Sequence, residues 1–149
     1  SLNYRLQTEN AGDFGFGISS SHILKSATKF DSYSEENDAL DAYNYEPRSQ
    51  QNISVGWSYK DFRATLFTDR TGHMEAYEGY STPSKTDPHM LINLSTNYNY
   101  SPDLNFYFSI ANVENKMPQM DEAYGFPYYN RGYFSAYGRS FSLGAQYRF

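Results

Sequence analysis

Alternation of apolar and polar residues runs through this chain and limits its fold more than any other feature. Near the end of the sequence Phe141, Leu143, Ala145, Tyr147 and Phe149 share one face of an extended segment; Ser140, Ser142, Gly144, Gln146 and Arg148 share the other. A period of two is the signature of a β-strand, because successive side chains point to opposite faces. Six more segments follow it. Leu2, Tyr4 and Leu6 alternate with Asn3, Arg5 and Gln7, and Phe14, Phe16 and Ile18 with Gly15, Gly17 and Ser19. Ile53, Val55, Trp57 and Tyr59 alternate with Ser54, Gly56 and Ser58; Phe62, Ala64 and Leu66 alternate with Arg63 and Thr65. Met90, Ile92, Leu94, Tyr98 and Tyr100 form one face of the next segment, and Leu104, Phe106, Phe108 and Ile110 one face of the one after it. Phe67, Leu91 and Thr96 break the rule, and helical periodicity is nearly absent. The chain therefore reads as all-β, an antiparallel meander of seven strands.

Composition narrows the class. Aromatic residues make up 19% of 149, too many for a disordered chain. The longest apolar runs span only a few residues, well short of the ~20 that a membrane helix needs. A net charge of -5 argues against a nucleic-acid partner. With no cysteine, neither a disulfide framework nor a thiolate metal site is possible. Ser1-Leu2-Asn3-Tyr4 already reads as strand and carries no signal peptide, as a mature or excised segment would.

The connections sort by length. Residues 8–13, 59–61 and 101–103 are short and rich in turn formers. Residues of roughly 25–48, 70–88 and 113–138 form long connections, in strict alternation with the short ones. All short turns then lie at one end of the sheet, an arrangement a soluble sandwich does not require and an outer-membrane barrel does. Trp57, Tyr59, Tyr98, Tyr100, Tyr147 and Phe149 fall at the short-turn end of the apolar face, as a girdle at a membrane interface would. The expected fold is a partial transmembrane β-barrel with short periplasmic turns and long extracellular loops. Bacterial single-chain barrels close with even strand numbers. Seven strands, with the first opening in mid-strand, point to the C-terminal end of a larger barrel.

Several short stretches carry a family likeness. Tyr137-Gly138-Arg139 followed by Phe141, Leu143, Tyr147 and Phe149 resembles the last strand of TonB-dependent outer-membrane receptors. Ala111 to Pro118 resembles that family's Asn-Leu-x-Asp-Lys-x-Pro stretch, with Glu114 in place of an apolar residue and Asn115 in place of Asp. Pro47-Arg48 ahead of a strand ending in Trp57, and Asp87-Pro88 opening the next descending strand, are similar to the family as well. The likeness spans essentially residues 1–149, in order.

The resemblance implies the last seven strands of a 22-stranded barrel in the outer membrane of a Gram-negative bacterium. Plug domain and earlier strands would lie outside these residues, as would the contact with TonB. It implies active uptake of a scarce nutrient, with a ferric siderophore the default because it is the commonest family substrate. It also implies that Phe141, Leu143, Tyr147 and Phe149 are read by the barrel-assembly machinery. The physical basis would be strand addition at a sheet edge. Partners would be outer-membrane lipid and lipopolysaccharide, and no cofactor is expected.

Other residues merit individual weighing. Tyr124, Phe126, Tyr128, Tyr129 and Arg131 crowd the last long connection. Rings beside a guanidinium can stack on a planar ligand and pair with its negative charge, or simply pack on one another. His73, Met74, His89, Met90, Met117 and Met120 lie in or beside long connections and have the donor types that suit copper, but their spacing fixes no geometry and no metal site is assigned. His22 stands alone near a strand end and reads as structural. The 25–48 connection is acidic, with Asp31, Glu35, Glu36, Asp38, Asp41 and Glu46 against Lys25, Lys29 and Arg48; it reads as a solvated loop. Arg5, Arg63 and Arg148 fall on the polar face, where a lumen would accept them. No catalytic residues are assigned: Gly-x-Ser-x-Gly, His-Glu-x-x-His and phosphate loops are missing, and Ser21 and His22 point to opposite faces of a strand. Two further readings stay open, a passive outer-membrane pore or structural barrel and a soluble β module that stacks aromatic rings on carbohydrate.

Overall fold

A computed structural model describes residues 1–38, 40, 46–75, 85–122 and 124–149. The described residues contain strands, turns and bends and no helix. Seven strands form one open sheet: β1 (Leu2–Thr8), β2 (Gly12–His22), β5 (Ser49–Tyr59), β6 (Phe62–Thr71), β7 (His89–Ser101), β8 (Leu104–Ala111) and β9 (Ser140–Tyr147). Their order in the sheet is their order in the chain, and every pairing is antiparallel. This is the meander that the alternation predicts. A hairpin of two-residue strands, β3 (Ala27–Thr28) and β4 (Asn37–Asp38), stands apart as a second sheet. It is too short to show a period, and the sequence reading did not anticipate it.

Register turns the alternation of single strands into faces of a sheet. One row runs Tyr4, Phe16, Val55, Leu66, Leu94, Ile110 and Phe141 across all seven strands. The adjacent row runs Arg5, Gly15, Gly56, Thr65, Ser95, Ser109 and Ser142 on the opposite face. A slip of one residue in any pairing would place polar side chains among apolar ones, so the face pattern fixes the register. The breaks also find their places. Thr96 lies on the apolar face between Ala64 and Phe108, and its hydroxyl donates to the Phe108 carbonyl at 3.2 Å. Phe67 and Leu91 lie on the polar face, opposite Ser54 and Asp69.

The turns at one end are closed by local chemistry. Thr8 Oγ1 donates to the Gly12 carbonyl at 2.6 Å and accepts from Ala11 N at 3.1 Å. Gly12 has φ 84°, and a Cβ there would sit 2.3 Å from the Ser58 carbonyl oxygen, so both backbone conformation and space demand glycine. Lys60, in the two-residue turn between β5 and β6, takes φ 52°. Ser101 Oγ accepts from Leu104 N at 3.1 Å, next to a register shift between Asn99 and Ser101.

The core is small and lies off the sheet. Among the described residues the buried hydrophobic side chains are Leu40 and Met74, each 2% exposed, and neither belongs to a strand. The sheet holds together through its backbone ladder and the cross-strand pairs of each face.

Candidate functional site

Two surfaces carry chemistry: the apolar face of the sheet and the region where the longer connections meet. On the apolar face large side chains stand in the open, Leu143 at 78% and Leu2 at 68% exposure among them. Toward the short turns this face becomes a belt of rings. Trp57 stacks on Tyr59 at 6.3 Å and tilts against Phe62 at 5.8 Å. Tyr98 meets Tyr100 edge-on, Tyr100 meets Phe106, and Tyr147 leans on Phe149. The polar handle of Trp57 is satisfied, since its Nε1 donates to the Ala11 carbonyl at 2.8 Å. One ring therefore ties β5 to the turn between β1 and β2. Lys60 Nζ sits 5.2 Å from the centre of the Tyr59 ring, at the edge of the belt. The residues read from sequence as a girdle lie toward the short turns, in separate ring contacts on β5 and β6, on β7 and β8 and at the end of β9. Phe141, Leu143 and Tyr147 line the exposed face of β9, the last strand of the open sheet, with Phe149 just beyond it.

The polar face carries Arg5, Arg63, Asp13 and Asp69 among Ser, Thr, Asn and Gly. Gly15 and Gly56 face each other across β2 and β5, with open space above Gly15 and only ordinary contacts at 3.9 Å above Gly56. Gly144 differs: a Cβ there would meet the Tyr107 ring at 2.1 Å, because Tyr107 of β8 lies over it.

At the opposite end Asn112 organises the last connection. It is buried with φ 53°, a conformation that asparagine tolerates better than most residues. Its Nδ2 donates to the Lys116 carbonyl at 2.8 Å and to the Tyr137 carbonyl at 3.4 Å, and its Oδ1 accepts from Lys116 N at 2.8 Å. Its own N–H goes to Asn93 Oδ1 at 2.9 Å. Asn115, at φ 55°, accepts from Arg139 N at 2.8 Å. Both ends of the 112–139 connection are thereby pinned together, by residues that the sequence singled out only through a family likeness. The available signal was the tolerance of asparagine for left-handed backbone at a strand end.

The aromatic candidates do not converge on one pocket. Phe126 and Tyr128 are exposed and meet edge-to-face at 6.0 Å. Tyr129 is half-buried. Arg131 Nη2 donates to the Phe126 carbonyl, which commits part of the guanidinium to the loop itself. Tyr124 instead lines a small cavity with Met74, Thr86, Asp87, His89, Gln119, Asp121, Asn130 and Phe134.

Of the thioether and imidazole candidates, Met74 and His89 share this cavity, whereas Met117 and Met120 are exposed. No group of three or more His, Cys, Asp or Glu is placed to hold a metal among the described residues. His89 is 7% exposed, and its ring stands at right angles to Phe134 at 5.1 Å. Burial holds its imidazole below the usual range, and the Lys116 ammonium adds in the same direction. In the acidic connection Lys25 pairs with Glu36, and Asp31 accepts from Ser34 Oγ and from the N–H groups of Tyr33 and Ser34. The Ser34 hydroxyl, then those amides, hold the Asp31 carboxyl below its usual range. Asp41 lies outside the described residues.

Comparison with protein-family models, with curated proteins and with solved structures returned no match.

Proposed function

We propose that the chain forms part of the wall of a transmembrane β-barrel in a Gram-negative outer membrane, and that the barrel is a TonB-dependent receptor taking up a scarce nutrient, by default a ferric siderophore. The observation that carries the membrane reading is the edge-to-edge apolar row through Leu66 and Leu94, exposed or half-buried on a sheet that contains none of the described buried hydrophobic side chains. Soluble monomers rarely expose contiguous apolar patches beyond a few hundred Å². A face of this kind needs lipid or protein to cover it. The ring belt at the short-turn end supports lipid, because amphipathic rings favour the interface. The opposite face, polar and bearing Arg5 and Arg63, suits a wet lumen. The receptor class rests on the family likeness of the tail and of the 111–118 stretch.

Trp57 is the single tryptophan, so its fluorescence reports one depth. In bilayers, bromines near the headgroups should quench it strongly and bromines near the bilayer centre weakly. Lack of quenching by any brominated lipid would remove the membrane reading; a response to sugars instead would favour the carbohydrate module. For the receptor class, the native polypeptide that contains Tyr147-Arg148-Phe149 should have a mass several times 17.2 kDa. Its ligand uptake should stop when the inner-membrane proton gradient is collapsed. Conductance independent of that gradient would favour the passive pore.

A further inference from the structure

We propose that His89 is a proton-sensitive latch, closing the 112–139 connection over the outer end of the sheet when neutral and releasing it when protonated. The inference stands on the cavity around the ring and does not depend on what the barrel transports. His89 opens β7 and pairs with Thr71 at the outer end of β6. It lies beyond the roughly nine to eleven residues that a tilted strand uses to cross a bilayer, counted from Tyr100. Its Nε2 is buried without a hydrogen-bond partner among the described residues. The surrounding cavity is about 10 Å³, room for roughly one water. Phe134, from the far side of the 112–139 connection, closes over the imidazole as an aromatic edge. Beside it Gln119 Oε1 accepts from Asp87 N at 2.7 Å, which ties the same connection to the residues just before β7. Contacts on His89 and its neighbours thus help to hold this connection down at its middle.

Protonation changes that balance. It adds a second N–H and a positive charge to a buried ring beside a cavity with room for roughly one water. From the connection before β7, the charged groups nearby are Asp87, which is exposed, and Glu75, which is paired with Lys85 at 3.1 Å. From the 112–139 connection they are Lys116, which repels, and Asp121, a buried carboxylate lining the same cavity, with Tyr124 beside it. On β7 itself the next residues are Met90 and Leu91, and facing them on β6 is Arg70, paired with Met90. Lifting Phe134 away gives the cation access to water.

The direction with pH follows from the lowered imidazole. Held closed, the imidazole lies below its ordinary value; released into water, it regains that value. Closure is therefore strongest above the ordinary value, weakens as pH falls from there through the closed-state value, and levels off below.

The chain has no cysteine, so a nitroxide on Met120→Cys reports this connection alone, and one on Ser32→Cys serves as a control in the earlier connection. In the native membrane preparation the ratio of mobile to immobile label at Met120→Cys should rise at least about threefold between about pH 7.5 and about pH 4.5. The label at Ser32→Cys should not follow it. His89→Phe keeps a ring for Phe134 and cannot take up a proton, so the response should vanish and the label stay immobile. Direct NMR titration of the His89 ring, which needs no variant at that position, should give a midpoint below 6.5. A midpoint at or above it would overturn the proposal, as would an equal response in His89→Phe. Tightening of the connection on acidification would also overturn it, by showing that a His89–Asp121 ion pair forms instead.

Discussion

The two ends of the sheet are built on different principles. At the short-turn end rings are numerous, turns are closed by single side chains, and the described apolar residues remain open to their surroundings. At the other end lie buried residues, Leu40, Met74, His89, Asn112 and Asp121 among them, at or beyond the strand ends. The first end is ordered by a backbone ladder and by ring against ring; the second resembles a small interior, with its own buried polar groups and hydrogen bonds. The difference shows that this chain does not obtain its order from one core. On the proposed membrane reading its sheet relies on a foreign apolar phase, whereas its connections supply their own.

The strongest test of that contrast is a charge on each face at one level. Leu66→Arg lies in the middle of the edge-to-edge apolar row. It should destabilise the membrane-inserted fold by about 2–4 kcal/mol. Thr65→Arg, one residue away on the polar face, should cost less than about 0.5 kcal/mol. Urea unfolding in lipid bilayers would measure both, and equal costs would remove the distinction between the faces.

A smaller effect is expected at the other end. Asn112→Ala strips the partners from the Lys116 N–H and carbonyl, and should cost about 1–3 kcal/mol. The loss should be local. Proteolysis should become faster within 112–139 while the sheet remains; cooperative loss of the whole sheet would show that the two ends are not separate units.

The smallest pair sharpens the comparison within the sheet. Gly144→Ala pushes the Tyr107 ring aside and should cost up to about 1 kcal/mol. Gly15→Ala meets nothing of this chain within 4 Å and should be neutral or stabilising by about 0.5–1 kcal/mol. A clear loss at Gly15 would indicate that something outside these residues approaches the polar face there.

The sheet was legible in the sequence because a period of two needs no tertiary information. Phe14, Phe16 and Ile18 declare their common face by spacing alone, and the turn residues from Thr8 to Asp13 mark where the chain reverses. The outer end was not legible. The meeting of His89 with Phe134 joins residues far apart in the chain, and no local pattern announces it. Asn112 stands where any polar residue could end a strand, and only its left-handed backbone, seen in three dimensions, explains why asparagine is there. The aromatic run from Tyr124 to Phe134 was visible as composition, but its division between exposed Phe126 and Tyr128 and half-buried Tyr124 and Phe134 depends on how the connection folds back.

A sheet whose spatial order repeats its chain order also has a consequence for manufacture. Each strand of this sheet pairs with the sheet strand made just before it, so none must wait for one made later. Such a wall can be laid down course by course, each hairpin offering the next its template. A fault in one turn would displace what is added after it and leave the finished courses standing.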